Sequence, residues 1–158
     1  MDYKEALNKV IVPGLKLLPE KMDTPEARVM MLAIGMQESR FIHRKQINGP
    51  ARGFFQFEEG GGVRGVLKHP STKRIIQDVI FKLGIPAEEC YNCLAEDDDL
   101  AAAFARLLLY TDPKPLPSLT SDPGESWEYY LRNWKPGKPH RETFDAFLLH
   151  AREAVNGR

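Results

Sequence analysis

The sequence predicts a mainly α-helical domain with a glycine-rich loop or short hairpin set among its helices. Three observations carry this reading. Apolar residues recur at helical spacing in at least six segments. Capping residues, prolines and glycines punctuate those segments where helices begin and end. The 158 residues, 42% of them hydrophobic, suit one domain around one core, so a single domain over 1–158 is expected.

The first predicted helix covers 3–18, with Tyr3, Ala6, Leu7, Val10 and Ile11 on one face and a kink at Pro13-Gly14. Asp23-Thr24-Pro25-Glu26 opens the second with a cap, a first-turn proline and an acid. It runs through Val29, Met30, Leu32, Ala33 and Ile34 and ends near Glu38 or Ser39. Residues 41–62 break the periodicity with Gly49, Pro50, Gly53 and Gly60-Gly61-Gly62, which reads as a loop or short hairpin. The triple glycine suits a cleft edge or a helix start. A helix over 71–83 stops at Gly84, and Pro86 opens a short one reaching Cys93. Asp97-Asp98-Asp99 then leads a helix with Leu100, Ala103, Phe104, Leu107 and Leu108 inward, its acids complementing the helix dipole. Pro113, Pro115, Pro117 and Pro123 mark a stiff connection before helices over 125–134 and 140–155.

Charge is balanced, with 22 basic and 22 acidic residues. No Lys/Arg-studded helix stands out, so a nucleic-acid partner is not expected. One stretch is locally basic: Arg40, His43, Arg44, Lys45 and Arg52. No apolar run approaches the roughly 20 residues of a membrane span, so membrane insertion is not expected. The start MDYKEALNK has no apolar signal-like stretch, which points to synthesis in the cytoplasm without a signal peptide. Cys90 and Cys93 have no second Cys/His pair at ligand spacing and no βαβ context. They read as structural thiols, with a local disulfide or a redox pair as the alternative. No metal or cofactor is expected.

The chemistry concentrates at Gln37-Glu38-Ser39-Arg40-Phe41 and Gly49-Pro50-Ala51-Arg52-Gly53-Phe54-Phe55-Gln56-Phe57. Glu38 ends an apolar helix, where the dipole disfavours negative charge. Met36 and Phe41 nearby add desolvation, and both effects raise a carboxyl pKa. A glutamic acid protonated near neutral pH can donate to a leaving oxygen, as glycosidic cleavage requires. The glycines let backbone approach a ligand, and Gln56 offers both a donor and an acceptor. Glu58-Glu59 is the available second carboxylate, although a solvated pair is the simpler reading. Trp127 and Trp134 read as core or loop anchors, and His43 and His140 as surface residues.

At these residues the sequence resembles the lysozyme-like superfamily, most closely lytic transglycosylases and phage-encoded lysozymes. Their pattern is a helix ending in E-S, a gap, then G-x-x-G-x-x-Q. Glu38-Ser39 and Gly53-Phe54-Phe55-Gln56 follow it within about residues 25–60, with Gly49 leading in one residue further upstream than the pattern has its first glycine. The Trp127 to Pro139 segment looks like the carboxyl-terminal part of phage members, and Asp98 or Asp99 stands where the family's next core helix begins with Asn. The family's A-Y-N-x-G signature is absent, with Tyr130-Leu131-Arg132-Asn133 as a weak stand-in. The resemblance implies a lysozyme-like helical domain whose glycine-rich loop forms one wall of a cleft. It implies cleavage between N-acetylmuramic acid and N-acetylglucosamine in peptidoglycan, with Glu38 as catalytic acid/base. Ser39, Phe55 and Gln56 are the candidate substrate contacts. The later-helix tyrosine that the family places beside the glutamate is sought among Tyr110, Tyr129 and Tyr130. One convincing acid leans toward the lyase rather than the two-carboxylate hydrolase. Action in the cell wall or periplasm then requires a release system or carriage in a virion with phage particle proteins. The alternative is a catalytically silent lysozyme-like module of a phage particle or secretion apparatus.

Overall fold

Two apolar helices form the centre of the protein in the computed structural model, which describes residues 1–157. Helix α3 (Pro25–Ser39) is buried from Val29 to Met36, and α7 (Asp98–Tyr110) from Leu100 to Leu109. Helices buried on every side belong in the middle of a fold rather than on its face. Both start as their sequences dictate. Thr24 Oγ accepts from Ala27 N–H at 3.1 Å, and Asp97 Oδ1 accepts from Leu100 N–H at 3.0 Å.

Shorter and amphipathic helices cover this centre. Helix α9 (Arg141–Val155) packs on α3 and on α8 (Pro123–Trp134), and α2 (Val12–Leu15) packs on α7. At the amino terminus α1 (Tyr3–Ala6) runs through a π turn at Leu7–Ile11 into α2. The predicted kink is therefore absorbed by a π turn just before Pro13, which has no N–H to continue the ladder. Helix α4 (Arg64–Lys68) follows a second π turn, Glu59–Val63, built on the triple glycine. Helix α5 (Lys73–Leu83) ends at Gly84 with φ 71°, the left-handed cap predicted there. The segment after Pro86 divides into a 3₁₀ turn, Ala87–Glu89, and α6 (Cys90–Cys93).

Residues 41–57 form a cross-braced loop rather than a hairpin. Only the isolated bridges Lys45–Arg52 and Arg52–Phe57 occur there. Tyr91 Oη donates to the Pro50 carbonyl at 2.6 Å, and Arg44 forks onto Asp98 at 2.9 Å. The basic cluster is thereby partly neutralised. Among the described residues no helix is long and apolar enough to cross a membrane.

Phe41, Phe54, Phe55 and Phe57 are all buried beneath this loop. Phe41 meets Phe54 and Phe55 edge-on, at 5.5 and 5.8 Å between centroids. The phenylalanines of the loop are thus its floor. The Phe41 ring lies flat against Gly35 of α3, where an added Cβ would come within 2.1 Å of Cζ. Gly35→Ala is expected to cost about 2 kcal/mol by overpacking, read as a lower denaturant midpoint at unchanged m-value. An unchanged midpoint would mean that the ring is free to move.

Candidate active site

The end of α3 is pinned from several sides. Gln37 Nε2 donates to the His140 carbonyl at 3.2 Å, and Thr143 Oγ donates to Gln37 Oε1 at 2.9 Å, tying α3 to the start of α9. Ser39 Oγ donates to the Phe54 carbonyl at 2.6 Å and accepts from Phe41 N–H at 3.1 Å. Arg40 and Phe41 then take left-handed backbone, at φ 56° and 52°. Two such non-glycine residues in succession cost energy, and strain of this kind gathers where a position is fixed by its surroundings. Among the described residues the other non-glycine positions with positive φ are Asn48, Gln56 and Lys135, so all five lie near the end of α3, in the loop, or at the end of α8.

Glu38 is half-buried between these anchors. Burial pushes its carboxyl up to about 7, against the opposing pull of a hydrogen bond from Tyr130. Tyr130 Oη donates to Glu38 Oε2 across 92 positions of sequence. Its ring is fixed on both sides, stacked on Phe144 at 5.1 Å and on Trp134 at 6.4 Å. Burial first, then the neighbouring Glu38 charge, raises the phenol pKa and keeps it a donor.

Beside this pair runs a groove of about 540 Å³ lined by Gln56, Glu58, Gly60, Asn133, Trp134 and Lys135, among others. Glu38 is not part of its lining. It connects to the groove through the Tyr130–Trp134 stack. Trp134 Nε1 donates to the Phe55 carbonyl at 3.0 Å, which locks the end of α8 onto the loop. Gln56 Nε2 is committed to the Gly53 carbonyl at 2.9 Å. Gly53 itself has φ 77°, and an added Cβ would lie 2.8 Å from the Leu94 carbonyl, so the turn that aims Gln56 requires glycine.

The predicted residues divide accordingly. Glu38 and Tyr130 touch, and Gln56 lines the adjacent groove. Ser39 and Phe55 need correction: both are buried and present no surface to a ligand, acting instead as loop anchor and floor. Tyr110 also needs correction, because it lines a separate depression with Arg106 and His69. Tyr129 donates to the Leu109 and Lys114 carbonyls at 2.9 and 3.1 Å and holds the proline-rich connection. The sequence reading gave Trp134 only an anchoring role, whereas it both anchors the loop and lines the groove. Its i,i+4 spacing from Tyr130 was the available signal. Glu58 lines the groove while Glu59 does not, which singles out one of the two acids.

Burial pushes the Cys90 thiol up to about 11 and also raises Cys93, so neither carries the thiolate of a reactive cysteine. Among the described residues no group of three His, Cys, Asp or Glu side chains is placed to hold a metal ion. Comparison of the chain with protein-family models, curated proteins and solved structures finds no match.

Proposed function

We propose that the protein is a peptidoglycan-degrading enzyme that cleaves the glycosidic bond between N-acetylmuramic acid and N-acetylglucosamine, with Glu38 as acid and then base. The observation that carries this reading is a single half-buried carboxyl, held near neutral pKa, whose one hydrogen-bonding side chain is the buried phenol of Tyr130. In its neutral form Glu38 donates a proton to the bridging oxygen as the bond from the anomeric carbon to that oxygen breaks. The carboxylate left behind accepts Tyr130's hydrogen bond. It then takes the proton of the muramic acid 6-hydroxyl as that oxygen bonds to the anomeric carbon, leaving an anhydro end. Gln56, Trp134 and the glycine turn offer the groove for the glycan.

The hydrolytic variant needs a second carboxylate to activate water, and Glu58 is the groove-lining candidate. No other charged group contributes appreciably to the Glu38 pKa, which favours the single-acid lyase. Mass spectrometry of digested, purified peptidoglycan separates the two. Anhydro-muramic ends are expected, and reducing ends sensitive to Glu58→Gln would assign hydrolysis. Action at the wall or periplasm calls for a release system or carriage in a phage particle. A second reading is a catalytically silent lysozyme-like module. It is favoured by one fact: Glu38 is outside the groove lining and fully paired with Tyr130 on one oxygen. Wall digestion yielding no glycan fragments at all would select it.

A further inference from the structure

Thr111, just past the end of α7, lines the groove beside Glu38 and also a larger depression of about 940 Å³. The two are tied together a second time. Asp112 lines the depression and accepts from Arg132 Nε and Asn133 Nδ2, both of the groove, at 3.0 and 2.9 Å. The depression therefore opens off the side of the groove as a branch. A linear chain lying in the groove leaves such a branch empty, whereas a branched one fills both.

The walls of the depression are small apolar faces with one free charge of each sign. Pro113, Pro115 and Leu116 supply the apolar faces. Tyr110, which does not reach Glu38, adds a ledge whose ring has Lys21 at 5.9 Å from its centroid. The exposed Lys114 and the half-buried Glu26 both line the depression. Neither is ion-paired among the described residues, with each other or with a third group. The remaining acid, Asp112, is already neutralised by Arg132. This combination suits a short peptide with small side chains that carries both a carboxylate and an ammonium group.

We propose that this depression holds the peptide stem of the substrate, an inference that rests on the peptidoglycan-cleaving reading. In peptidoglycan each muramic acid bears a short peptide on its lactyl group. That peptide begins with alanine, continues through a glutamic acid and reaches a diamino acid, so it branches sideways from the glycan with both signs of charge. With the glycan in the groove, the stem crosses Thr111 into the depression. Its alanine methyl lies against Leu116, its glutamate carboxylate meets Lys114 and its ammonium meets Glu26. Ion pairs this open to water are individually weak, and the two together suit about a tenfold preference for strands that carry stems.

The first test is a titration of the full chain with N-acetyl-L-Ala-γ-D-Glu-meso-diaminopimelic acid, followed by NMR at the backbone amides of Thr111, Lys114 and Leu116. Saturable shifts are expected with a Kd on the order of millimolar, and uncharged N-acetyl-trialanine amide should bind about tenfold more weakly. No saturable shift, or equal binding of the uncharged peptide, would overturn the proposal, and this result does not depend on any variant folding. The second test compares cleavage of purified glycan strands with stems and strands stripped by an amidase. The wild type is expected to show kcat/KM about tenfold higher on strands with stems. Lys114→Ala combined with Glu26→Gln should lose most of that preference while cleaving stripped strands at the wild-type rate. Equal kcat/KM on both strands in the wild type would overturn the stem site and leave the glycosidic chemistry of Glu38 standing. Saturable peptide binding with no cleavage of either strand would keep the stem site and remove that chemistry instead.

Discussion

Glu38→Gln is expected to lower peptidoglycan cleavage by about a thousandfold while leaving the fold intact. Glutamine keeps the volume and still presents an oxygen to the Tyr130 hydroxyl, so the end of α3 loses no anchor. What it lacks is a transferable proton. The same variant has a second, independent readout in stability. The Glu38 pKa is about 7 in the folded chain against 4.5 for an ordinary glutamate. Because the folded value is raised, its contribution to stability is fully present below pH 4.5 and is lost as the pH rises through 7. A difference of this size corresponds to about 3 kcal/mol. Glu38→Gln should therefore match the wild type near pH 4 and become increasingly the more stable of the two, levelling off above pH 7. Urea denaturation at pH 4, 6 and 8 measures it. A stability difference independent of pH would show that the carboxyl is freely solvated. Unchanged cleavage by the folded variant would remove Glu38 from the chemistry altogether.

Much of this site was legible in the sequence because its determinants are local. The Thr24 cap, the proline after it and the unbroken apolar run fix where α3 starts and that it is central. The position of Glu38 at its end follows by counting, and so does the expectation of a raised pKa. Gly84 and the Asp97 cap were readable for the same reason. Failures began where periodicity stopped. In a loop with no fixed repeat, nothing in the order Phe54-Phe55-Gln56-Phe57 says which ring turns inward. All three proved buried: Phe54 and Phe55 pack edge-on with Phe41, whose ring abuts Gly35, and Phe57 packs on Phe104 and Trp134. Choosing Tyr130 over Tyr110 and Tyr129 required knowing how α8 lies against α3, a contact between distant segments. Tyr110 closes a helix whose apolar face extends nearly all round, so its direction could not be read from the pattern. Arg106 sits in that same apolar run, where an arginine among leucines and alanines reads as a residue that reaches out to solvent, yet it is buried with its Nε on the Met22 carbonyl.

Tyr130→Phe tests how the pair works, because it should move two quantities in opposite directions. In the wild type, cleavage that depends on neutral Glu38 is expected to be level below pH 7 and to fall about tenfold per pH unit above it. The Tyr130 hydrogen bond favours the carboxylate and so holds the Glu38 pKa down against burial. Removing the hydroxyl leaves burial unopposed, and the alkaline limb should shift upward by about one unit. The level part of the profile should drop at the same time. Once Glu38 has given up its proton, the carboxylate stands in a half-buried site without its donor. A hydrogen bond to a charged group contributes about 1.5–3 kcal/mol, or roughly ten- to a hundredfold in rate. A merely structural tyrosine would lower the activity at every pH without moving the limb. A limb that moves to lower pH would mean that the phenol stabilises the neutral acid instead, and the assignment of donor and acceptor in the Tyr130–Glu38 pair would have to be reversed.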